Sequence, residues 1–224
     1  MDKAIVLLSG GMDSLVTAAV AVQECEQVCF LHASYGQKTQ ERERQSFERL
    51  CQHYQPTDSK ILDWSWLAEI GGSRLTDPDF ASDRSLAESR IPDTYVPFRN
   101  ASLICAAVAW AEAVNASRIY IGAVEEDSSG YPDCRKSFFE AMQKAIETGS
   151  RNLPLITIHT PVIDLDKASI VRLGIQLNAP FELSWSCYFS SEEACGVCDS
   201  CRLRLKAFSL AGIADPINYR GRPK

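Results

Sequence analysis

The sequence predicts an α/β fold with a doubly wound, parallel, five-stranded sheet. Short apolar runs typical of buried strands alternate with longer segments of helical periodicity, as in strand–helix–strand units. A polar turn with two adjacent glycines follows the first run, and a group of closely spaced cysteines near the C-terminus predicts a small extra lobe. The predicted strands are 4–8, 28–33, 59–62, 118–122 and 156–158.

The turn after the first strand reads Ser-Gly-Gly-Met-Asp-Ser over residues 9–14. Adjacent glycines let backbone N–H groups approach an anion, and Ser9 and Ser14 add hydroxyl donors. A helix that begins near Asp13 directs its positive end at the same place. The turn has neither the lysine of G-x-x-x-x-G-K-[ST] nor the spacing of G-x-G-x-x-G. We predict that it cradles a nucleotide phosphate, although a plain strand-to-helix turn would also use glycine and serine.

The predicted nucleotide-binding segment continues into the following helix, whose apolar residues have core-facing spacing. Within this segment, we expect Ser9 and Asp13 to take part in catalysis. The whole segment consists of Leu8, Ser9, Gly10, Gly11, Met12, Asp13, Ser14, Leu15, Val16, Thr17 and Ala18.

Ligands of such sheets bind beyond the carboxyl ends of the strands, so the loops after the other strands are candidate site elements. Tyr35 and Gln37 follow the second strand, where they can contact a ligand or simply start a helix. Residues 71–97 are polar and lack periodicity, and a loop of this length predicts a substrate-covering insertion. The helix at 100–114 is apolar nearly all round and is expected to be buried between the sheet and another layer.

A cation stands at the start of that helix, in the order Phe98, Arg99, Asn100. Positive charge there opposes the helix dipole unless an anion binds beside it. We therefore predict that Arg99 binds the substrate and acts in catalysis, with its planar guanidinium in contact with a phosphate or carboxylate. Asn100 is expected at least to cap the helix and is a further candidate substrate contact.

The loop after the fourth strand, residues 122–135, combines four carboxylates with one arginine. Acidic residues beside a phosphate site are tolerated when Mg²⁺ or a cationic edge of the substrate binds there, and carboxylates also accept from the amino group of a guanine-like ring. A capping loop with Asp133 as a helix cap is the simpler alternative. We expect Asp127 to act in catalysis, and the predicted substrate contacts of this loop are Glu125, Asp127, Tyr131, Asp133 and Arg135.

Four of the nine cysteines lie within 15 residues, three of them in consecutive Cys-x-x-Cys steps. Four thiolates suit a closed tetrahedral zinc site, which leaves no position for activated water and is therefore structural. An iron–sulfur cluster, a redox dithiol pair and a nucleic-acid-binding zinc ribbon are the alternatives. The predicted ligands are Cys187, Cys195, Cys198 and Cys201, whereas Cys25, Cys29, Cys51 and Cys105 are expected to be small core residues.

Composition narrows the class of protein. The 224 residues, 46% of them hydrophobic, suit one domain with an appendage. We expect a nucleotide-binding domain over 1–180, with an insertion near 66–98, and a zinc-binding lobe over 181–224. The net charge of −6 favours small-molecule substrates over a nucleic acid. No apolar stretch approaches the roughly 20 residues of a membrane span, so we expect a cytoplasmic protein without a membrane partner.

The glycine-paired turn resembles the pyrophosphate loop of the ATP-pyrophosphatase superfamily, whose fold is adenine nucleotide alpha-hydrolase-like and whose members adenylate their substrates. Together with Tyr35-Gly36-Gln37, the 122–135 loop, Trp185-Ser186-Cys187-Tyr188 and the other three clustered cysteines, it resembles the 7-cyano-7-deazaguanine (preQ0) synthases over residues 7–215.

This resemblance implies an ATP- and Mg²⁺-dependent ligase of queuosine biosynthesis, active as a homodimer. It would convert 7-carboxy-7-deazaguanine and free ammonia into the nitrile through adenylated carboxylate and amide intermediates. Two residues depart from the commoner family pattern: Phe98 stands where glycine is expected, and Thr39 where histidine is frequent. Phe98 is a candidate to pack on the purine-like ring. A tRNA-thiolating relative, a nucleotide sensor that leaves ATP intact and a ligase for another deazapurine-linked acceptor remain alternatives.

Overall fold

Five parallel strands form the central sheet of the computed structural model, which describes residues 2–77, 80, 91–125, 130–151 and 153–221. The order across the sheet is β3-β2-β1-β4-β5. All five predicted strands are present and every pairing is parallel, which confirms the predicted fold class. The strands are β1 (Lys3–Leu7), β2 (Gln27–Ser34), β3 (Asp58–Asp63), β4 (Arg118–Ile121) and β5 (Thr157–His159).

Helices cover both faces of this sheet. Two short 3₁₀ helices, Pro132–Cys134 and Phe181–Leu183, lie in connecting segments. Within the described residues the α-helices are α1 (Met12–Glu24), α2 (Gln40–Tyr54), α3 (Trp66–Ile70), α4 (Arg99–Val114), α5 (Lys136–Gly149), α6 (Lys167–Gln176) and α7 (Asp199–Ala211).

The central strand β1 is buried on both faces of the sheet. Its side chains alternate between two separate cores, Ala4 and Val6 in one, Ile5 and Leu7 in the other. The first core contains residues of α1, α2, α6 and α7, and the second contains residues of α4 and α5. A strand buried on both faces carries a continuous apolar run, which is why the sequence pattern at β1 was clear.

The chain order makes β1 the turning point of the sheet. The chain passes from β1 to β2 on one side and later returns to β4 on the other. Loops that leave β1 and β4 therefore separate at their carboxyl ends, and this opening is where open α/β sheets bind ligands. Among the helices that the structure describes, none is long and apolar enough to cross a membrane.

The C-terminal segment has a small core of its own, which includes Trp185, Cys187 and Tyr219. Its helix α7 nevertheless contributes Ala207 and Phe208 to the main core beside α1 and α6. The lobe is thus anchored on the sheet domain. The domain boundary at residue 180 and the insertion near 66–98 stay predictions.

Two expectations for α4 are wrong. The helix is covered by the sheet on one side only, because Cys105, Ala109 and Ala113 form an exposed ridge at helical spacing. Cys105 is therefore not a core residue, whereas Cys29 is buried and Cys25 and Cys51 are half-buried against the core. Small apolar side chains gave this helix the appearance of a buried one, since their sequence pattern does not distinguish a covered face from a bare one.

His32 on β2 predicts a pH dependence of stability. The ring is 1% exposed, lies 3.0 Å through Nδ1 from the Leu8 carbonyl oxygen, and has a pKa lowered by burial. The unfolded chain then takes up a proton below about pH 6.5 that the folded chain does not. We expect the free energy of unfolding to fall as pH drops through that region. His32→Asn should flatten the change, as measured by urea denaturation of both proteins at matched pH values; an unchanged slope would contradict it.

Candidate active site and metal centre

A cavity of about 620 Å³ lies at the carboxyl ends of the strands. Most of the predicted phosphate turn faces it, together with side chains from the loop after β2, the start of α4 and the loop after β4. The predicted site residues that line the cavity are Leu8, Ser9, Gly11, Met12, Asp13, Ser14, Tyr35, Gln37, Arg99, Asn100 and Tyr131.

The phosphate turn is held in shape by its own hydroxyl groups. Ser9 Oγ accepts from the Gly11 N–H at 3.2 Å and lies 3.0 Å from Ser14 Oγ, which donates to the Gly11 carbonyl at 3.0 Å. Gly10 has φ +87°, a conformation that glycine adopts without strain. The turn leads directly into α1, so free N–H groups and the helix dipole converge on the cavity.

Gly122 at the end of β4 lets that loop approach the phosphate turn. A Cβ atom there would lie 2.8 Å from the backbone carbon of Asp13 and the nitrogen of Ser14. No side chain fits in this space. The rest of the predicted segment, Leu15, Val16, Thr17 and Ala18, is buried behind the turn in α1 and does not line the cavity.

Arg99 is the first residue of α4 and faces the cavity, as the sequence indicated. Its Nη1 donates to Tyr35 Oη at 2.7 Å. Burial raises the pKa of Tyr35 to about 12, so the phenol stays neutral and accepts this bond. Burial by itself would lower the pKa of Arg99, but nearby Tyr35, Tyr131 and Asp133 raise it, and the guanidinium stays charged.

Asn100 does not cap its own helix, since Phe98 occupies the position before the helix starts. The cap comes from the 122–135 loop instead, where Asp133 accepts from the Asn100 backbone N–H at 2.9 Å. The Asn100 side chain donates to the Asp133 carbonyl at 3.0 Å and to Cys134 Sγ at 3.3 Å. These bonds fix the loop against the helix that carries Arg99.

Several predicted substrate contacts lie outside the cavity lining. Phe98 is 62% exposed and packs edge-on against Phe138. Glu125 accepts from the N–H of Lys136, the first residue of α5, and Arg135 precedes that helix on the surface. Asp127 falls outside the residues that the structure describes. The functional roles given to these residues stay predictions.

The cavity also holds charged residues that the sequence interpretation missed, chiefly Lys167 and Glu43. Lys167 Nζ donates to Asp13 Oδ2 at 2.6 Å, which places an ammonium group beside the phosphate turn. A signal was present: Lys167 is the first residue of α6, the same unfavourable position for a cation that drew attention to Arg99. The side chain of Asp166 caps this helix by accepting from the Ser169 N–H.

The four clustered cysteines meet as predicted. The Sγ atoms of Cys187, Cys195, Cys198 and Cys201 all lie within 4.8 Å of one another. A tetrahedron of sulfurs at the usual Zn–S distance has edges of roughly 3.8 Å, and the Cys195 and Cys201 sulfurs are 3.9 Å apart. Backbone N–H groups of Cys195 and Cys198 point at the sulfurs of Cys187 and Cys195, as they do around thiolates. The set fits a structural zinc ion with four protein ligands.

A buried arginine connects this centre to the phosphate turn. Arg204 on α7 is 1% exposed and donates to both carboxylate oxygens of Asp215 at 2.8 and 3.0 Å. It also donates to Ser184 Oγ at 2.8 Å and to the Phe181 carbonyl at 3.2 Å. The next residue along the chain, Trp185, donates through its backbone N–H to the Gly10 carbonyl at 2.8 Å.

Comparison with known proteins agrees with this geometry. The family model of the queuosine biosynthesis protein QueC matches residues 3–212. The chain belongs to this family. It is 52% identical over 223 residues to the 7-cyano-7-deazaguanine synthase of Chlorobium limicola, covering 99% of both chains. It is 53% identical over 223 residues to that of Chlorobium luteolum, covering 99% of this chain and 98% of the relative.

A solved structure supports the fold independently of sequence. The NMN synthetase of Francisella tularensis aligns with 95% of this chain and 78% of its own, at a TM-score of 0.50 and 15% identity. At this identity the likeness concerns the fold alone.

Gly122→Ala should disable the phosphate turn. The new methyl group would meet backbone atoms, which cannot move aside without displacing the start of α1. We expect ATP affinity, measured by calorimetry, to fall at least ~10-fold while zinc content is kept. Gly149→Ala is the matched control, because a Cβ there meets nothing within 4 Å. Equal affinities in both variants would contradict the close approach.

Cys198→Ser should release the metal. Loss of one thiolate opens the tetrahedral shell, so we expect zinc, measured by elemental mass spectrometry, to fall from about one per chain to well below half. Thermal stability should fall with it. Cys105→Ser replaces an exposed thiol outside the cluster and should leave the zinc content unchanged. Full zinc content in the Cys198 variant would refute the four-ligand assignment.

Proposed function

We propose that this protein is an ATP-dependent 7-cyano-7-deazaguanine synthase. The observation that carries the proposal is one cavity that has a phosphate turn along one wall and Arg99 with its tyrosines along another. Such a cavity holds a triphosphate and a carboxylate together, and alignment of these two groups is what adenylation requires. The chain-wide similarity to named synthases supplies the acceptor, 7-carboxy-7-deazaguanine.

The reaction uses two activations. A carboxylate oxygen attacks the α-phosphorus of ATP, pyrophosphate leaves, and ammonia then displaces AMP to give the amide. The amide oxygen attacks a second ATP in the same way, two protons leave the amide nitrogen, and loss of AMP gives the nitrile. Neither activation needs a protein nucleophile.

In our proposal the phosphate side of the cavity belongs to the Ser9–Ser14 turn and Lys167. Backbone N–H groups and the two serine hydroxyls bind phosphate oxygens, and Lys167 neutralises the departing pyrophosphate. The bond from Lys167 to Asp13 holds the ammonium group in place before ATP arrives. Asp13 and Asp127 are the proposed carboxylates that would hold Mg²⁺, which would supply positive charge to neutralise the phosphates.

The acceptor side belongs to Arg99, with Tyr35 and Tyr131 beside it. The guanidinium pairs with the substrate carboxylate, and the phenols of buried Tyr35 and half-buried Tyr131 give the ring an aromatic wall. The Tyr131 hydroxyl lies 2.8 Å from Thr94 Oγ1, so Thr94, which belongs to the predicted insertion, contributes to this wall. The hydrogen bonds between Asn100 and Asp133 fix the start of α4, the helix that carries Arg99.

Zinc is structural in this scheme. The four cysteines would hold it with no open position, and it supplies no chemistry to the reacting atoms. It keeps the segment around Trp185 folded, and the backbone N–H of Trp185 supports the Gly10 carbonyl.

The organisation that we propose is a cytoplasmic homodimer that acts on small molecules and not on a nucleic acid. The exposed ridge of Cys105, Ala109 and Ala113 on α4 is a smooth surface suited to helix–helix contact. The acidic net charge of −6 disfavours a phosphate backbone as partner. Sedimentation velocity would reveal a monomer if the dimer proposal is wrong.

Product analysis tests the function. Zinc-loaded protein is incubated with ATP, Mg²⁺, ammonium and 7-carboxy-7-deazaguanine, and products are identified by mass spectrometry. We expect the nitrile together with AMP and pyrophosphate. AMP without the nitrile would move the acceptor elsewhere, and intact ATP would favour a nucleotide sensor.

Arg99→Ala should weaken use of the acceptor selectively. Loss of the charge-assisted contact at the reacting carboxylate should lower kcat/KM for 7-carboxy-7-deazaguanine by about 100-fold, which corresponds to about 2.7 kcal/mol. The KM for ATP should change only a few-fold. Tyr35→Phe removes one bond to Arg99 and should cost about 5-fold. Arg49→Ala, an exposed site on α2, is the control; a uniform loss for both substrates would contradict the assignment.

A further inference from the structure

Glu43 on α2 is a carboxylate inside the cavity with no role in the scheme above. Its Oε1 accepts from Thr39 Oγ1 at 2.8 Å, and its Oε2 accepts from Gln37 Nε2 at 3.0 Å. Thr39 and Gln37 are both buried. Each carboxylate oxygen keeps a free lone pair, because a carboxylate has about four acceptor sites and only two are used.

The charge of Glu43 is not balanced by a directly bonded cation within the described part of the chain. Among the residues that the structure describes, no lysine or arginine forms an ion pair with it. Arg99 acts on it only at longer range, since its guanidinium is engaged with Tyr35. Burial raises the pKa of Glu43, although its two hydrogen-bond donors oppose this rise. Such a group favours a cationic ligand or a proton.

Glu43 lies between the phosphate turn and Arg99. Its backbone oxygen lies against the phosphate turn, 3.1 Å from where a Cβ of Gly10 would be. Its side chain joins Gln37, whose Oε1 accepts from the Tyr35 N–H at 2.8 Å. Tyr35 in turn holds Arg99. Glu43 therefore lies between the groups assigned to the phosphates and the group assigned to the carboxylate.

We infer that Glu43 binds an ammonium ion in this cavity and takes one proton from it, so that ammonia is released beside the acyl adenylate. The inference rests on the proposed function. The step balances: ammonium and the carboxylate give ammonia and a carboxylic acid. Ammonia then forms the C–N bond, the bond from carbon to the AMP oxygen breaks, and AMP leaves with its electron pair. The second proton of the adduct passes to solvent.

A purely structural role for Glu43 predicts a different effect of its replacement. If Glu43 served only to hold Gln37 and Thr39 at the start of α2, its replacement would harm every use of the adenylate equally. The two roles can therefore be distinguished by comparing how replacement of Glu43 affects the reactions with two different nucleophiles. Hydroxylamine is largely unprotonated near neutral pH, so it attacks an acyl adenylate without the help of a base. Ammonium must first lose a proton to a base before it can attack.

The experiment compares Glu43→Gln with wild type in the zinc-loaded protein. The amide keeps the shape and can still bond Thr39 but cannot take a proton. Near neutral pH we expect kcat/KM for ammonium to fall about 100-fold or more, the usual contribution of a general base. The deficit should shrink to a few-fold at alkaline pH, where ammonia is the free base. Hydroxamate formation from ATP, 7-carboxy-7-deazaguanine and hydroxylamine should fall by no more than a few-fold.

Two further variants sharpen the result. Glu48→Gln removes an exposed carboxylate from the same helix and should behave as wild type. Glu43→Asp keeps a base at shorter reach and should recover part of the ammonium-dependent rate. Parallel pH profiles for Glu43→Gln and wild type, or equal losses with ammonium and hydroxylamine, would overturn the inference alone. Absence of hydroxamate from the wild type would overturn the proposed function together with it.

Discussion

The buried pair of Arg204 and Asp215 is the interaction on which the arrangement of the site depends. One guanidinium, with almost no contact with solvent, holds α7, the chain at 181–184 and the C-terminal tail together. Taking either partner away would leave a charge buried without its counterion, which is far more costly than an exposed pair would be. The segment fixed in this way leads first into Trp185, which contacts the phosphate turn, and then into Cys187, so the metal centre and the phosphate turn share one support.

Local sequence signals were sufficient for the sheet, the phosphate turn and the metal centre. Each strand is a short apolar run, the turn is six consecutive residues, and the cysteines lie close along the chain. Contacts between distant segments were not readable in this way. The pairing of Asp13 with Lys167 and the capping of α4 by Asp133 depend on which loops the sheet brings together. The assignment of Asn100 as a cap failed for this reason.

Phe98 shows how backbone and side-chain requirements compete. Its φ of +55° lies in the left-handed region, where glycine has no steric cost and a phenylalanine does. This gives a physical reason for the glycine that the family resemblance led us to expect there. The contact of the Phe98 ring with Phe138 at the surface offsets part of this steric cost, and the ring does not enter the cavity. The sequence marked the position as unusual, but only the backbone shows that the departure concerns the entry into α4.

The hydrogen bond between the backbone N–H of Trp185 and the Gly10 carbonyl joins two segments that are 175 residues apart in the sequence. A ribosome releases Gly10 well before Trp185, so the phosphate turn lacks this support until the later segment has emerged. The cysteines that bind the metal emerge later still. The nucleotide site is thus completed by the final part of the polypeptide, and a truncated nascent chain carries the whole glycine motif without a supported turn.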